Sequence, residues 1–274
     1  MDTGVGLSSN YPFARPVLAR TSAGIKFSIC TLVTDWLEYS QMVDSFVAGG
    51  FDPTDCEYLF INNEEANEYE AYGGYNAFLL EARGDFIVLC HQDIVLLNDD
   101  RRDLENRLGE LDSLDPNWAL CGNCGGDTSR KLAIRISDPA GGENQRIGTF
   151  PSRVTALDEN FIVARRRANL ALSHDLSGFH HYGTDICIVA DILGWNAWVI
   201  DFHLRHKSAG NADEGYVLLR QRLIEKYRNA FRPRWVVTSI NSIFLSRYRT
   251  ANLLAPIGVR IHRRISRALL RRAP

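Results

Sequence analysis

The sequence predicts an α/β fold in which a mostly parallel central sheet is flanked by helices, as in Rossmann-like folds. From residue 25 to residue 120, apolar β-rich runs alternate with segments of helical periodicity. Polar residues follow each of the first three apolar runs. After residue 120 the pattern changes to short strands and Gly-rich turns, which predicts a smaller mixed β region.

The first half predicts consecutive βαβ units, and hence parallel strands with helices on the faces of the sheet. Strands are expected at residues 26–33, 57–61, 85–90 and 117–121. Helices are expected at 35–47, with Asp35 as N-cap, at 67–83, ending before Gly84, and at 99–114.

The second half predicts short strands at residues 131–136, 145–150, 154–165 and 195–202, and a helix at 184–193 that ends at Gly194. Residues 1–24 lack periodicity and form an N-terminal extension, residues 25–215 form the main domain, and residues 216–274 form a basic helical segment.

The net charge of −2 conceals an asymmetry along the chain. Residues 222–274 contain thirteen arginines and lysines and one acid, a formal charge of +12, whereas residues 1–221 carry −14. Such a contrast indicates that the two parts face different partners. The N-terminus lacks the regions of a signal peptide, and no apolar run approaches the roughly 18 residues that cross a bilayer, so a cytoplasmic location is expected.

The ends of the first three strands place polar side chains along one edge of the predicted sheet. Open α/β sheets bind ligands in the crevice beyond the carboxyl ends of their strands. The triplet His91-Gln92-Asp93 follows the third strand, and a carboxylate beside neutral donors suits a hard divalent cation that also binds phosphate. Alternatively, Asp93 only caps a turn and His91 is a satisfied core histidine.

Two parts of the chain resemble the GT-A glycosyltransferases of the family-2-like group. The strand FSICTLV, the strand ending FINN, the segment GGYNAFLLEARGDFIVL and the polar triplet after it are similar to the nucleotide-binding half of that family. The segment LDENFIV is similar to the acceptor-side strand, and GFHHYGTD to the FHxYxxD motif. The resemblance covers residues 26–210, with residues 25–120 as the nucleotide-sugar half and 121–215 as the acceptor half. Where the family commonly has Asp-x-Asp, this chain has His-Gln-Asp.

The resemblance implies a metal-dependent, inverting transfer of a sugar from a nucleotide-diphosphate donor of UDP, GDP or dTDP type to a hydroxyl of a glycan or lipid-linked glycan. It implies Asp185 as the catalytic base, His180 and Tyr182 on the acceptor side, and Asp93 and His206 as metal ligands, with His91 or His203 as alternatives. The residues expected to bind the nucleotide sugar are Thr31, Asn62, Asn76, His91, Gln92 and Asp93. Manganese or magnesium suits the mixed carboxylate and imidazole ligands.

Purely structural roles also account for these residue types. Asp185 at a helix N-terminus interacts favourably with the helix dipole whatever its role. The asparagines and threonine are also common turn formers, and His206 is also explained as a surface histidine. At the level of function, the alternatives are a sugar-phosphate nucleotidyltransferase and a non-catalytic glycan-binding relative. The first is weakened because no Gly-rich loop with Arg or Lys follows the first strand.

The basic C-terminal segment contains an amphipathic pattern. Ile257, Ile261, Ile265 and Leu269 recur every four residues, and arginines occupy the other side of that predicted helix. Such a helix either lies on an anionic membrane surface, as a peripheral contact on its inner face, or packs on the acidic main domain. Nucleic acid is a weaker candidate partner because the segment has no recognised binding motif.

Overall fold

The computed structural model describes residues 24–210, 213–237 and 242–254. The chain divides into two compact units, of which the first ends at Tyr216 and the second begins at Val217. Nearly all of the predicted N-terminal extension and the whole predicted amphipathic helix after residue 256 lie outside the described residues.

The helices and strands follow the predicted order closely. The helices are α1 (Trp36–Ala48), α2 (Ala71–Glu81), α3 (Arg101–Leu114), α4 (Tyr182–Ile192) and α5 (Glu214–Ala230). The first strands are β1 (Phe27–Val33), β2 (Cys56–Asn62), β3 (Phe86–Cys90), β4 (Ile94–Leu96) and β5 (Trp118–Gly122). They are followed by β6 (Cys124–Gly126), β7 (Leu132–Asp138), β8 (Gly142–Ile147), β9 (Ser152–Val154) and β10 (Ala156–Leu157). The last strands are β11 (Phe161–Arg165), β12 (Asn196–Val199), β13 (Leu204–His206), β14 (Arg234–Val237) and β15 (Ser242–Leu245).

Within the described residues, a seven-stranded central sheet has the order β2-β1-β3-β11-β5-β12-β9. Strands β2, β1, β3, β5 and β12 run in one direction, and β11 and β9 run against them. The predicted mostly parallel central sheet is therefore confirmed. All five residues of β3 are buried, which explains its uninterrupted apolar sequence.

Strand β11 lies between β3 and β5 and is antiparallel to both. Its first residue, Phe161, pairs with the last residue of β3, Cys90. The residues just before β11 are therefore held beside the residues just after β3, and the His91 amide donates a hydrogen bond to the Asn160 carbonyl. This pairing places the segment before β11 at the predicted ligand-binding edge.

A second, smaller mixed sheet has the order β10-β6-β7-β13-β4, with β8 paired to β7, and contains the strands predicted at residues 131–136 and 145–150. The segment that resembles the acceptor-side strand, residues 157–163, instead runs into β11 of the central sheet. Its antiparallel pair β13 and β4 aligns His206 with Ile94. The Lys207 amide also donates a hydrogen bond to the Asp93 carbonyl. This register brings the end of β13 next to the polar triplet after β3.

Helix α2 is shorter than the sequence pattern predicts. It begins at Ala71, capped by Glu70, because the Asn63 side chain bonds to the backbone of Tyr69 and holds the preceding residues in a loop. The helix ends at Glu81 with Ala82 as its C-cap, so the prediction that Gly84 is its C′ residue is wrong. Gly84 instead lies against the backbone of β1, where its amide donates a hydrogen bond to the hydroxyl of Ser28. By contrast, the predicted cap of α1 is confirmed, since the Asp35 carboxylate accepts hydrogen bonds from two amides of the first turn.

The second unit contains most of α5 and an antiparallel hairpin of β14 and β15. Only helix was expected in this segment. Trp235, Val236, Ile243 and Phe244 explain the difference, because aromatic and β-branched residues favour strands. Among the helices that the structure describes, none combines the length and the apolar character needed to span a bilayer.

A matched pair of glycine substitutions tests the packing of Gly84. A Cβ added at Gly84 would lie 2.6 Å from the Ser28 nitrogen, so Gly84→Ala is expected to destabilise the fold by about 1–3 kcal/mol through overpacking. Gly109 on the exposed side of α3 has no atom within 4 Å of its Cβ position, so Gly109→Ala is expected to stabilise by about 0.5–1 kcal/mol. Urea unfolding of the full chain measures both, and equal effects would contradict the assigned role of Gly84.

Candidate functional site

A cleft lies at the carboxyl ends of β1 and β3, where the sequence predicts ligand binding. Its volume is about 270 Å³. Its lining includes the side chains of His91, Gln92, Asp93, Phe179, Tyr182 and Ser208. A larger cavity of about 840 Å³ lies against the outer side of α2 and is lined mainly by apolar residues. We take the smaller cleft as the candidate site because it contains the converging imidazole and carboxylate groups.

Three side chains, His91, Asp93 and His206, form a cluster that we call the His-Asp cluster. The His206 Nε2 atom lies 3.2 Å from Asp93 Oδ1 and 3.2 Å from His91 Nδ1. The His91 Nδ1 atom lies 4.0 Å from Asp93 Oδ1. One ligand atom of each residue lies within 4.8 Å of the others, which is close enough for a single cation to contact all three. The predicted metal ligands Asp93 and His206 lie together, and of the two histidines left open by the sequence, His91 rather than His203 lies beside them.

The protonation states of the cluster are coupled through short contacts. Burial alone would raise the pKa of Asp93, but the hydrogen bond from His206 and its positive charge hold that pKa well below its ordinary value. Burial would lower the pKa of His206, but the Asp93 carboxylate outweighs burial and raises it. Burial and the neighbouring His206 lower the pKa of His91. Asp93 is therefore ionised and His91 neutral at neutral pH, and both are in the forms that bind metal, whereas His206 must release its proton to do so.

Tyr182 orients the imidazole of His91. Its hydroxyl lies 2.8 Å from His91 Nε2 and donates a hydrogen bond to the Glu159 carbonyl at 3.2 Å. When the tyrosine hydroxyl donates to the Glu159 carbonyl, the His91 Nε2–H donates to the tyrosine oxygen, and the lone pair of Nδ1 faces Asp93 and His206. A hydrogen bond to the outer nitrogen is the usual way in which proteins fix the tautomer of a metal-binding histidine.

Gln92 connects the end of β3 to the start of α1. Its side-chain carbonyl accepts hydrogen bonds from the amides of Thr34 and Asp35, at 2.7 and 3.0 Å. Its amide group donates to the Thr34 hydroxyl. Gln92 therefore lines the cleft and also fixes the position of the loop after β1, which the sequence did not predict.

Three predicted nucleotide-sugar residues lie outside the cleft. Thr31 is fully buried, with its hydroxyl 3.4 Å from the Cys90 sulfur. Asn62 is exposed and accepts a hydrogen bond from the Glu64 amide, whereas its neighbour Asn63 lines the cleft. Asn76 binds the backbone of Leu172 through both atoms of its amide group and lines the larger cavity.

The predicted acceptor-side residues are divided between the cleft and its surroundings. Tyr182 lines the cleft, whereas His180 forms a contact of 3.2 Å with the Asp213 carboxylate. Asp185 is fully buried, and its carboxylate accepts hydrogen bonds from the amide and the hydroxyl of Ser173 at 2.8 and 2.7 Å. Asp185 thus holds the loop around Ser173. His203, the alternative to His206, bonds instead to the Ser137 hydroxyl.

Two further acids, Asp158 and Glu159, precede β11 and were not predicted as site residues. Asp158 is exposed, and its negative charge contributes to the raised pKa of His206. It acts in the same direction on His91, where burial and the charge of His206 have larger effects and lower the pKa. The Glu159 carboxyl accepts hydrogen bonds from the amides of Gly183 and His181 at the start of α4, and burial together with Asp158 raises its pKa to about 8. The sequence feature that could have identified them is their position immediately before β11, the strand that pairs with β3.

Helix α4 approaches the segment before β11 very closely. A Cβ added at Gly183 would lie 2.4 Å from the Leu157 carbonyl oxygen. Only glycine allows this approach, and it sets the position of the adjacent Tyr182. His181 precedes the helix in the left-handed conformation, with φ of 59°, which is uncommon for a non-glycine residue.

Comparison with known proteins shows one relative by sequence. No family model matches the chain. The ATP synthase subunits region ORF 6 protein of Fuscovulum blasticum is 34% identical over 229 residues, which cover 81% of this chain and 92% of the relative. The chain belongs to the family of this ORF 6 protein. The name of the relative states no chemical activity.

Solved structures show the fold of this ORF 6 family member. The structure of GalNAc-T7 with UDP, GalNAc and Mn²⁺ matches with a TM-score of 0.51 and 10% identity, over 74% of this chain and 48% of that chain. The present chain thus spans about half the length of GalNAc-T7. The mannosyltransferase PcManGT from Pyrobaculum calidifontis, in complex with GDP-Man and Mn²⁺, matches with a TM-score of 0.48 and 11% identity, over 81% and 69% of the two chains. The likeness to GalNAc-T7 confirms the GT-A fold.

NMR titration of the metal-free protein tests the coupling in the His-Asp cluster. The His206 imidazole is expected to titrate above the ordinary value of 6.5 and His91 below it. Asp93→Asn removes the negative partner, so the pKa of His206 is expected to fall, because the proton on His206 then lacks its stabilising charge. The pKa of His203, which burial and Arg135 lower, serves as the internal control and is expected to stay unchanged. An unaltered His206 titration in Asp93→Asn would contradict the assigned ion pair.

Proposed function

We propose that this protein is a metal-dependent inverting glycosyltransferase that uses a nucleotide-diphosphate sugar. The observation that carries the proposal is the His-Asp cluster in a cleft at the carboxyl ends of parallel strands of a GT-A sheet. In α/β folds this edge is where phosphate-bearing ligands bind. GalNAc-T7, which shares the fold, was solved with a nucleotide, a sugar and a metal.

The donor set of the cluster fits a divalent cation. It offers an ionised carboxylate and two imidazole nitrogens, and Ser208 Oγ lies 3.3 Å from His206 Nε2. Manganese accepts nitrogen ligands more readily than magnesium, so we propose Mn²⁺ as the better fit and Mg²⁺ as the alternative. When bound, the cation would stabilise the negative charge of the departing diphosphate. Asp93, His91 and His206 would hold it, with Tyr182 fixing the orientation of His91.

The cleft accommodates only part of a nucleotide-diphosphate sugar. Its volume of about 270 Å³ is small beside the range of about 300–1,000 Å³ that is typical of small-molecule sites. The remainder of a UDP, GDP or dTDP donor would extend beyond the cleft. We propose that the diphosphate and sugar lie near Asp93, while Thr34 and Asn63 line the side of the cleft formed by the ends of β1 and β2.

The burial of Asp185 favours Asp158 as the base. An inverting transfer requires a carboxylate that takes the proton of the acceptor hydroxyl as its oxygen attacks the anomeric carbon, while the bond from that carbon to the diphosphate oxygen breaks. The family resemblance implies Asp185, but its carboxylate is fully buried and bonded to Ser173. Asp158 is exposed, and it belongs to the segment before β11 that is held beside His91 by the pairing of β11 with β3 and by the hydrogen bond from the His91 amide to the Asn160 carbonyl. We therefore propose Asp158 as the base and Asp185 as a positioning residue.

For the acceptor, we propose a hydroxyl of a glycan or a lipid-linked glycan, reached from the cytoplasmic side of a membrane. This part of the proposal depends on the charge of +12 in residues 222–274, which an anionic surface would attract. The predicted helix after residue 256 lies outside the described residues and stays a prediction. A non-catalytic glycan-binding relative is the second candidate, favoured by the departure of His91-Gln92-Asp93 from the family triplet.

Nucleotide binding by the purified protein tests the metal site. With Mn²⁺ present, UDP or GDP is expected to bind, and Asp93→Asn is expected to reduce that binding by at least about 100-fold, because the only carboxylate of the cluster loses its charge. Isothermal titration calorimetry with and without Mn²⁺ measures the effect. Asp191→Asn, an equivalent change at an exposed position of α4, is the control and is expected to bind normally. Metal-independent nucleotide binding in wild type would refute the proposed cation.

Paired carboxylate substitutions test the base. Asp158→Asn is expected to preserve Mn²⁺-dependent nucleotide binding and to lower the rate of transfer, or of donor hydrolysis, by about 10²–10⁴-fold. Asp185→Asn is expected to lower the midpoint of thermal unfolding, because the contacts to Ser173 weaken, with a smaller effect on rate. If Asp185→Asn instead removes turnover without changing stability, and Asp158→Asn stays active, the base is Asp185. Nucleotide binding without any turnover in wild type would favour the non-catalytic alternative.

A further inference from the structure

The hairpin of the second unit exposes apolar side chains on both of its faces. Trp235 pairs across the strands with Phe244, and their ring centroids are 5.1 Å apart. On the opposite face, Val236 pairs with Ile243. The exposed fractions of Trp235, Ile243 and Leu245 are 40%, 49% and 43%. A two-stranded hairpin is marginally stable in water by itself, and these exposed apolar side chains are available to a partner.

The charged residues in and around the hairpin are all positive. Residues 226–254 contain six arginines and lysines and no aspartate or glutamate. Arg234 donates a hydrogen bond of 2.6 Å to the Ala230 carbonyl at the end of α5, so it has a structural role. Arg232, Arg247 and Arg249 are exposed near the ends of the two strands. The partner of this surface is therefore expected to be anionic.

Charge and shape together favour a lipid bilayer over a second copy of the chain. Two copies of this surface would repel each other, whereas an anionic bilayer supplies negative headgroups and an apolar interior in one surface. Tryptophan favours the boundary between headgroups and acyl chains. Each strand has four residues and is therefore about 13 Å long. The hydrocarbon core of a bilayer is roughly 30 Å thick, so the hairpin can only enter the membrane interface.

We propose that the hairpin surface, formed by Phe231, Arg232, β14, β15, Arg247 and Arg249, is a binding site for an anionic membrane. The apolar side chains of the hairpin enter the headgroup boundary, and the three exposed arginines contact lipid phosphates. This inference deepens the membrane part of the proposed function, but it uses none of the residues of the His-Asp cluster and does not depend on the proposed transferase chemistry. It is also separate from the predicted helix after residue 256, because it depends on described residues.

Co-sedimentation of the full chain with vesicles tests the proposal. Binding is expected with vesicles of 70% phosphatidylcholine and 30% phosphatidylglycerol, and it is expected to weaken with added salt because the attraction is electrostatic. Vesicles of phosphatidylcholine alone are expected to bind at least about 10-fold more weakly, since each basic residue near an anionic surface contributes about 1 kcal/mol. Equal binding to both vesicles, or no binding to either, would overturn the proposal.

Substitutions locate the binding surface within the chain. The double variant Arg247→Glu with Arg249→Glu leaves the apolar contacts of the hairpin intact and is expected to reduce vesicle binding at least about 10-fold. The matched control, Arg102→Glu with Lys131→Glu, makes the same charge change at exposed positions of the first unit and is expected to bind like wild type. Trp235→Ser is expected to weaken binding even at low salt. Wild-type binding by both hairpin variants would show that the membrane contact lies elsewhere.

Two further measurements distinguish membrane binding from self-association and from effects on the cleft. Light scattering after size exclusion, run at increasing protein concentration, detects self-association, and a dimer that Trp235→Ser abolishes would assign the surface to a second copy. Mn²⁺-dependent nucleotide binding is expected to be the same in the hairpin variants and wild type. Loss of vesicle binding with an unchanged midpoint of thermal unfolding supports the membrane site whether or not the transferase proposal holds.

Discussion

The contact between Asp93 and His206 depends on the register of two short strands. β4 and β13 are distant in the chain, yet their antiparallel pairing aligns His206 with Ile94, and the Lys207 amide bonds to the Asp93 carbonyl. This backbone pairing brings a carboxylate and an imidazole to 3.2 Å. The carboxylate then stays ionised despite partial burial, and that charge makes the cleft suitable for a cation. A register shift of one residue would turn His206 to the other face of its strand.

The central sheet supports the same cleft from its other side. The parallel strands β1 and β3 deliver their carboxyl ends to one edge, and the antiparallel β11 returns the chain to that edge, so that Asn160 bonds to the His91 amide. Tyr182 then bridges Glu159 and His91 through its hydroxyl. Polar groups from two separate parts of the chain, the segment before β11 and the start of α4, therefore hold the backbone and the imidazole of His91. Such a fixed arrangement reduces the reorganisation that ligand binding requires.

The sequence predicted the fold better than the direction of individual side chains. Alternating strands and helices predicted the order of the elements along the chain and the parallel strands, and polar residues after β3 indicated the cleft. Thr31 was misplaced because a strand buried on both faces carries no alternation that separates inward from outward positions. Asn62 and Asn63 are adjacent, and only the turn after β2 decides that Asn63 reaches the cleft. The burial of Asp185 depends on Ser173, a contact between separate segments that no local pattern contains.

The close approach at Gly183 has a consequence for sequence change in this protein. Because the Leu157 carbonyl occupies the space in which a side chain would stand, any larger residue at this position would displace the start of α4. Tyr182 would move with it, and the imidazole that it holds would lose its fixed tautomer. A substitution that adds one methyl group, carries no charge and touches no ligand would then disrupt the proposed metal site in the cleft. The absence of a side chain at position 183 is thus as necessary to the proposed chemistry as the presence of the carboxylate at position 93.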